Sequence, residues 1–101
     1  MYDEPTFVWD EGKRAANIAK HGIDFTDVRE MLAGPMLVSS DIRKDYGEAR
    51  QIGFGFVRRR FLVVVFTERE PGAIRIISVR KANRREKDYF EKAVADQLGK
   101  N

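Results

Sequence analysis

The run Phe61-Leu62-Val63-Val64-Val65-Phe66-Thr67 constrains the fold of this chain more than any other stretch. Six consecutive apolar side chains leave no polar face at a period of two, so the run reads as a central strand buried on both sides. Other strands must flank it. Ile52, Phe54 and Phe56 alternate with Gln51, Gly53 and Gly55, as in a strand whose Ile-Phe-Phe side faces the core. The paired glycines in that strand imply a bulge or close packing rather than a nucleotide loop. Arg58-Arg59-Arg60 is a basic turn between these two strands. Residues 36–40 form a further strand, 68–72 a turn, and 73–79 the last strand. Residues 6–10 form a short strand at the start.

Three helices complete the pattern. Asp10 is placed to cap a helix over 11–21 that stops at Gly22. At ~100° per residue, Ala15, Ala16, Ile18 and Ala19 share the side expected to be buried. Lys13, Arg14, Asn17, Lys20 and His21 form the opposite, basic face. Asp24 can cap a second helix over 25–32, with Ile23 and Val28 as a hydrophobic staple and Gly34-Pro35 as the stop. In the last helix Asn83 and Glu86 have near capping-box spacing. Tyr89, Phe90, Ala93, Val94 and Leu98 form its apolar stripe, and Gly99 ends it. The expected order is β-α-α-β-β-β-β-α, an α+β fold with helices packed on an antiparallel sheet.

At 101 residues, 43% hydrophobic and 35% charged, the chain suits one globular domain over 1–101. It has no cysteine, which excludes disulfides and thiolate zinc sites and suits a reducing cytoplasm. No stretch approaches the ~20 apolar residues of a membrane span, and the acidic start lacks the layout of a secretory signal. No carboxylate cluster has metal-site spacing and no cofactor motif is present, so neither metal nor cofactor is expected.

The net charge of +3 is unevenly spread. The first twelve residues hold four acids and no base, whereas residues 80–87 hold five cations against the single acid Glu86. Arg84 and Arg85 fall in the first turn of the last helix, where each forgoes ~0.3–1 kcal/mol of dipole interaction. A cationic cluster at that cost, beside unpaired helix N–H groups, points to an anion such as a phosphate. The plainer alternative is solvated side chains paired with Glu86, Asp88 and the acidic N-terminus.

His21, the only histidine, serves either the negative end of its helix dipole or a lone acid–base role. Trp9 packs in the core or stacks on a base. Tyr46, Glu48 and Arg50 surround a glycine, either on a mobile loop that moves protons or in a loop of internal ion pairs. Glu68 and Arg69 are expected beside Arg80 across the sheet end, unless they are a plain turn. If the anion is an RNA phosphodiester, cleavage needs no metal, because the adjacent 2′-OH can attack phosphorus. Arginines and lysines would stabilise the phosphorane, and a glutamate, tyrosine, histidine or lysine would move the protons.

The stretches "FVWDEGKRAANIAKHGIDF", "DYGEAR", "FLVVVFTER" and "IRIISVRKANRRE" resemble the BrnT family of type II toxin–antitoxin toxins, over about Phe7 to Tyr89. Trp9, Asp10, Lys13, Asn17, Lys20, His21 and Gly22 follow the family motif without gaps. Val79 and Ala49 depart from it, where alanine and glutamate are usual. The resemblance implies a RelE/ParE-like fold and an endoribonuclease that halts translation. It also implies neutralisation by a BrnA-like ribbon-helix-helix antitoxin, which would carry the pair to operator DNA. By position, Lys20, His21, Arg80, Lys81, Glu48 and Glu68 become catalytic candidates. Trp9, Lys13, Asn17, Tyr46, Arg50, Arg84 and Arg85 become candidates for RNA binding. Two other classes fit the residues: a gyrase poison on the same scaffold that cuts no RNA, and a non-catalytic module whose basic corner docks an acidic partner.

Overall fold

The computed structural model describes residues 6–70 and 72–98, with the side chains of Arg69, Glu70 and Leu98 excepted; the expected stop at Gly99 lies outside them. The strands are β1 Thr6–Val8, β2 Met36–Ser40, β3 Gln51–Val57, β4 Arg60–Glu70 and β5 Ala73–Lys81. They make one sheet in the order β1-β5-β4-β3-β2. The helices are α1 Glu11–His21, α2 Val28–Ala33 and α3 Arg84–Leu98. The apolar run lies in β4 at the centre of the sheet, and Leu62, Val63 and Val64 are all but sealed from solvent.

The sheet is mixed, which corrects the antiparallel expectation. β2, β3, β4 and β5 form the antiparallel part, but β1 pairs parallel to β5, from Thr6 opposite Ala73 to Val8 opposite Arg75. No hairpin ties these two strands. The long intervening chain can return in either direction, and parallel pairing needs only such a connection.

α1 also packs on the side opposite to the expected one. Its alanines are exposed, and its one buried residue is Asn17, at 7%. The cause lies in β5. β1 runs out at Arg75, so the β5 edge beyond it has backbone groups with no strand to pair. Asn17 supplies the pairing: Oδ1 accepts from Val79 N at 3.1 Å, and Nδ2 donates to Val79 O at 2.8 Å and to Ile23 O at 3.0 Å. Leaving such buried groups unpaired costs roughly 1–3 kcal/mol each, more than burying alanine methyls returns.

β3 shows the same inversion. Its more deeply buried side is Gly53, Gly55 and Val57, not the expected Ile52, Phe54 and Phe56. A Cβ on Gly55 would lie 2.8 Å from Met31 Cγ, and one on Gly53 would lie 2.5 Å from Met36 Cε. The glycines therefore let the α2 region close directly onto the strand. Ile23, Phe25, Val28 and Met31 form the core on this face with Leu62, Val64, Phe66, Ile76 and Val79.

The opposite face carries the aromatics and α3. Phe54 meets Tyr89, Phe56 meets Phe61, and Phe61 meets Phe90, with ring centroids 6.0, 4.7 and 5.6 Å apart. The cover is incomplete, since Phe56 is 47% and Tyr89 60% exposed.

Two caps hold the helices in place. Asp24 accepts from Thr26 N but caps a 3-10 turn at Phe25–Asp27, so α2 starts three residues later than expected, at Val28. The same carboxylate takes a two-pronged bond from Arg14, at 2.8 and 2.7 Å, which ties α1 to this turn and holds Asp24 well below the usual carboxylate range. At α3 the capping box is complete. Glu86 N donates to Asn83 Oδ1 and Asn83 N to Glu86 Oε1, both at 2.8 Å.

Candidate functional site

β5 sends its last two cations to opposite faces. Arg80 stands opposite Val63, on the α3 side, while Lys81 stands opposite Leu62, on the side of the main core. The expected joint action of Arg80 and Lys81 on one phosphate is therefore not the arrangement found. Arg80 turns instead to Glu86 and forms a fork–fork pair, Nη1 to Oε1 at 2.8 Å and Nη2 to Oε2 at 2.7 Å. Glu86 is itself fixed by the capping box, so the first turn of α3 aims the guanidinium. Arg80 holds the Glu86 carboxyl below its ordinary value, and burial only partly opposes this. Glu86 in turn raises Arg80, against burial and against the positive charge of Arg43.

Arg43 is the contributor that the sequence did not single out. It belongs to the 41–50 loop, and its charge acts on both Arg80 and Glu86. The loop is pinned from within. The Asp41 side chain is 1% exposed and accepts from Arg43 Nε and Nη2, each at 2.8 Å, and from Tyr46 Oη at 3.2 Å. The Arg43 bonds lower the Asp41 carboxyl to about 2. Asp41 N donates to Arg50 O, and Thr67 Oγ1 to Ala49 O, which closes the loop and fastens it to β4. Within it, the Arg50 guanidinium sits 4.0 Å over the Tyr46 ring and bonds Glu48 at 3.4 Å. Tyr46, Glu48 and Arg50 are thus brought together in a braced loop of internal pairs.

At the N-terminus of α3, Ala82, Asn83, Arg84, Lys87 and Asp88 line a shallow hollow of ≈ 480 Å³. Arg84 and Arg85 are exposed, and no carboxylate engages either among the described residues. An anion there would meet the helix's positive end together with Arg84 and Lys87, with the Asp88 carboxylate also on the lining.

The remaining candidates lie elsewhere. Glu68 stands opposite Ile74, five positions along β4 from Val63, or ~16 Å of strand from the Arg80 level, so it is not beside Arg80. The Arg69 side chain lies outside the described part. Lys13 and Lys20 are exposed on α1, and His21 is half-buried at its end; no contact joins His21 to Arg80 among the described residues. Asn17 is consumed by backbone bonds. Trp9 packs edge-on against Phe25 at 6.3 Å, donates to Glu11 and lines a small apolar cavity of ≈ 130 Å³. Among the described residues no three His, Cys, Asp or Glu side chains are grouped to hold a metal ion, and no helix is long and apolar enough to cross a membrane.

The α+β fold with its five-stranded mixed sheet is shared with a known class of small toxins. The family described as "Ribonuclease toxin, BrnT, of type II toxin-antitoxin system" matches residues 9–86. The structure is similar to the crystal structure of the Brucella abortus ribonuclease toxin BrnT, with a TM-score of 0.60 and 30% identity over 79% of this chain and 99% of that one. No curated protein matches. The chain belongs to the BrnT family of ribonuclease toxins, whose type II systems pair the toxin with an antitoxin.

Proposed function

We propose that this protein is an endoribonuclease that cuts RNA without metal: the 2′-OH gives up its proton and attacks the adjacent phosphorus, the P–O5′ bond breaks, and the departing 5′-oxygen is protonated. The cut halts translation. The observation that carries this reading is Arg80: a guanidinium aimed by Glu86, subject to the charge of Arg43, at the strand end that leads into the α3 hollow. A phosphodiester at this corner would place its non-bridging oxygens against Arg80, in the field of Arg43, with Arg84 and Lys87 holding the flanking phosphate. Preset cations of this kind favour the dianionic phosphorane over the monoanionic ground state, which is the differential binding that catalysis requires. The loop that carries Arg43 also carries Tyr46 and Glu48, so we assign proton transfer to that loop in preference to His21 or Lys20 on α1. Lys81 and Arg85 then serve longer-range attraction of the RNA chain. The fold is read as RelE/ParE-like. The antitoxin is read as a ribbon-helix-helix protein that holds the pair on operator DNA, and the working compartment as the cytoplasm.

Incubation of the purified protein with RNA in excess chelator is the test. Fragments ending in 2′,3′-cyclic phosphate are expected. Cleavage only on addition of magnesium would overturn the mechanism. Intact RNA together with stabilised gyrase–DNA cleavage complexes would replace it with a gyrase-poison reading.

A further inference from the structure

α3 leaves an apolar groove of ≈ 430 Å³ on the open face of the sheet, lined by Pro35, Phe56, Phe61, Phe90, Val94 and Ala95, with Glu91 at its rim. We propose that this groove receives an amphipathic helix of the antitoxin, which inhibits the toxin by running from the groove across the α3 hollow. The proposal rests on the toxin–antitoxin reading above and adds the surface that would carry it.

Three features favour this occupant. Apolar surface on a groove wide enough for side-chain anchors is what helix-in-groove recognition uses. The charges beside it are mixed along α3: Arg84, Lys87 and Asp88 line the hollow at one end, and Glu91 stands one turn beyond Lys87. A helix with acidic residues facing Arg84 and Lys87 and cations facing Asp88 and Glu91 would match that pattern, whereas a phosphate chain carries one sign only. The lining of the groove argues against RNA, because a phosphate backbone lying there would lose water against apolar walls and meet no cation. Lys87 links the two sites, since its Nζ lies 5.3 Å from the centre of the Phe61 ring that floors the groove, while the residue also lines the hollow. A helix seated in the groove therefore passes the cations that the substrate needs.

The probe is the purified antitoxin encoded beside this chain, titrated against wild-type toxin and an Ala95→Arg variant. Ala95 is exposed on α3 and lies outside the proposed cleavage site, so arginine fills the groove while helix propensity is kept. The expected result is at least a 30-fold weaker complex, with unchanged thermal stability and unchanged RNA cleavage by the toxin alone. Phe56→Ser, which removes a half-exposed anchor, should weaken binding at least tenfold by the same readout. Binding within twofold of wild type for both variants would overturn the proposal. A toxin homodimer lost on Ala95→Arg while antitoxin binding stays intact would also overturn it. If the wild type binds antitoxin and Ala95→Arg does not, yet neither cuts RNA, the groove stands and the ribonuclease mechanism falls.

Discussion

The two faces of the sheet are built from alternate residues of the same strands, yet they do different work. On one face Leu62, Val64, Val79 and the glycines of β3 lie under Phe25, Val28 and Met31, and the packing leaves no room for a Cβ. On the other, Val63, Phe54, Phe56 and Arg80 lie under a single helix that leaves two hollows and a cationic corner. A sheet closed on one side can leave the other side partly bare, and the bare side is where an outside molecule can enter. The difference predicts that substitutions on the closed face cost stability and spare cleavage per folded molecule, with the reverse on the open face.

The largest expected effect lies at Asn17. Asn17→Ala leaves Val79 N–H, Val79 C=O and Ile23 C=O without their side-chain partner. At roughly 1–3 kcal/mol for each of the three orphaned groups, a loss of about 3–9 kcal/mol should appear as a large fall in thermal midpoint. If this variant melted like wild type but lost cleavage, Asn17 would belong to the site and the division between faces would fail. Next is Gly55→Val, which drives new methyls into Met31 and should cost about 1–3 kcal/mol, read as a shift in urea midpoint.

Smaller still is an acid effect from the loop. The Asp41 carboxyl is lowered to about 2 in the fold, so its stabilising contribution is complete above pH ~4 and is lost as pH falls through its folded value. The urea midpoint should fall between pH ~4 and ~2, and Asp41→Asn should flatten that part of the curve. Asp24, shifted in the same direction, leaves a residual slope in the variant.

Periodicity and capping chemistry made the elements legible. The unbroken apolar run of β4, the period-two pattern of β3 and the Asn83–Glu86 box each correspond to what forms. What the pattern misjudged was which side of an element faces inward. In α1 the decisive quantity was the unmet hydrogen-bonding of a strand sixty residues away, which no local window contains. In β3 the glycines were the buried side because methionines from two other segments fill the space above them. The candidate site was legible in part. Charge density marked the corner around Arg80, and the cap spacing already placed Glu86. The separation of Arg80 from Lys81 follows from strand alternation and was available in principle. The charge that Arg43 brings to bear on Arg80 and the distance to Glu68 depend on loop closure and strand register, which leave no local trace in the sequence.

The measurement that tests the central claim most directly is the single-turnover rate of RNA cleavage by Arg80→Ala, taken alongside its thermal midpoint. The account predicts a rate about 10² lower or less than that, with a midpoint near wild type, because the pair with Glu86 is partly exposed and adds little stability. A rate equal to wild type in a fully folded variant would contradict the placement of the reaction on this face.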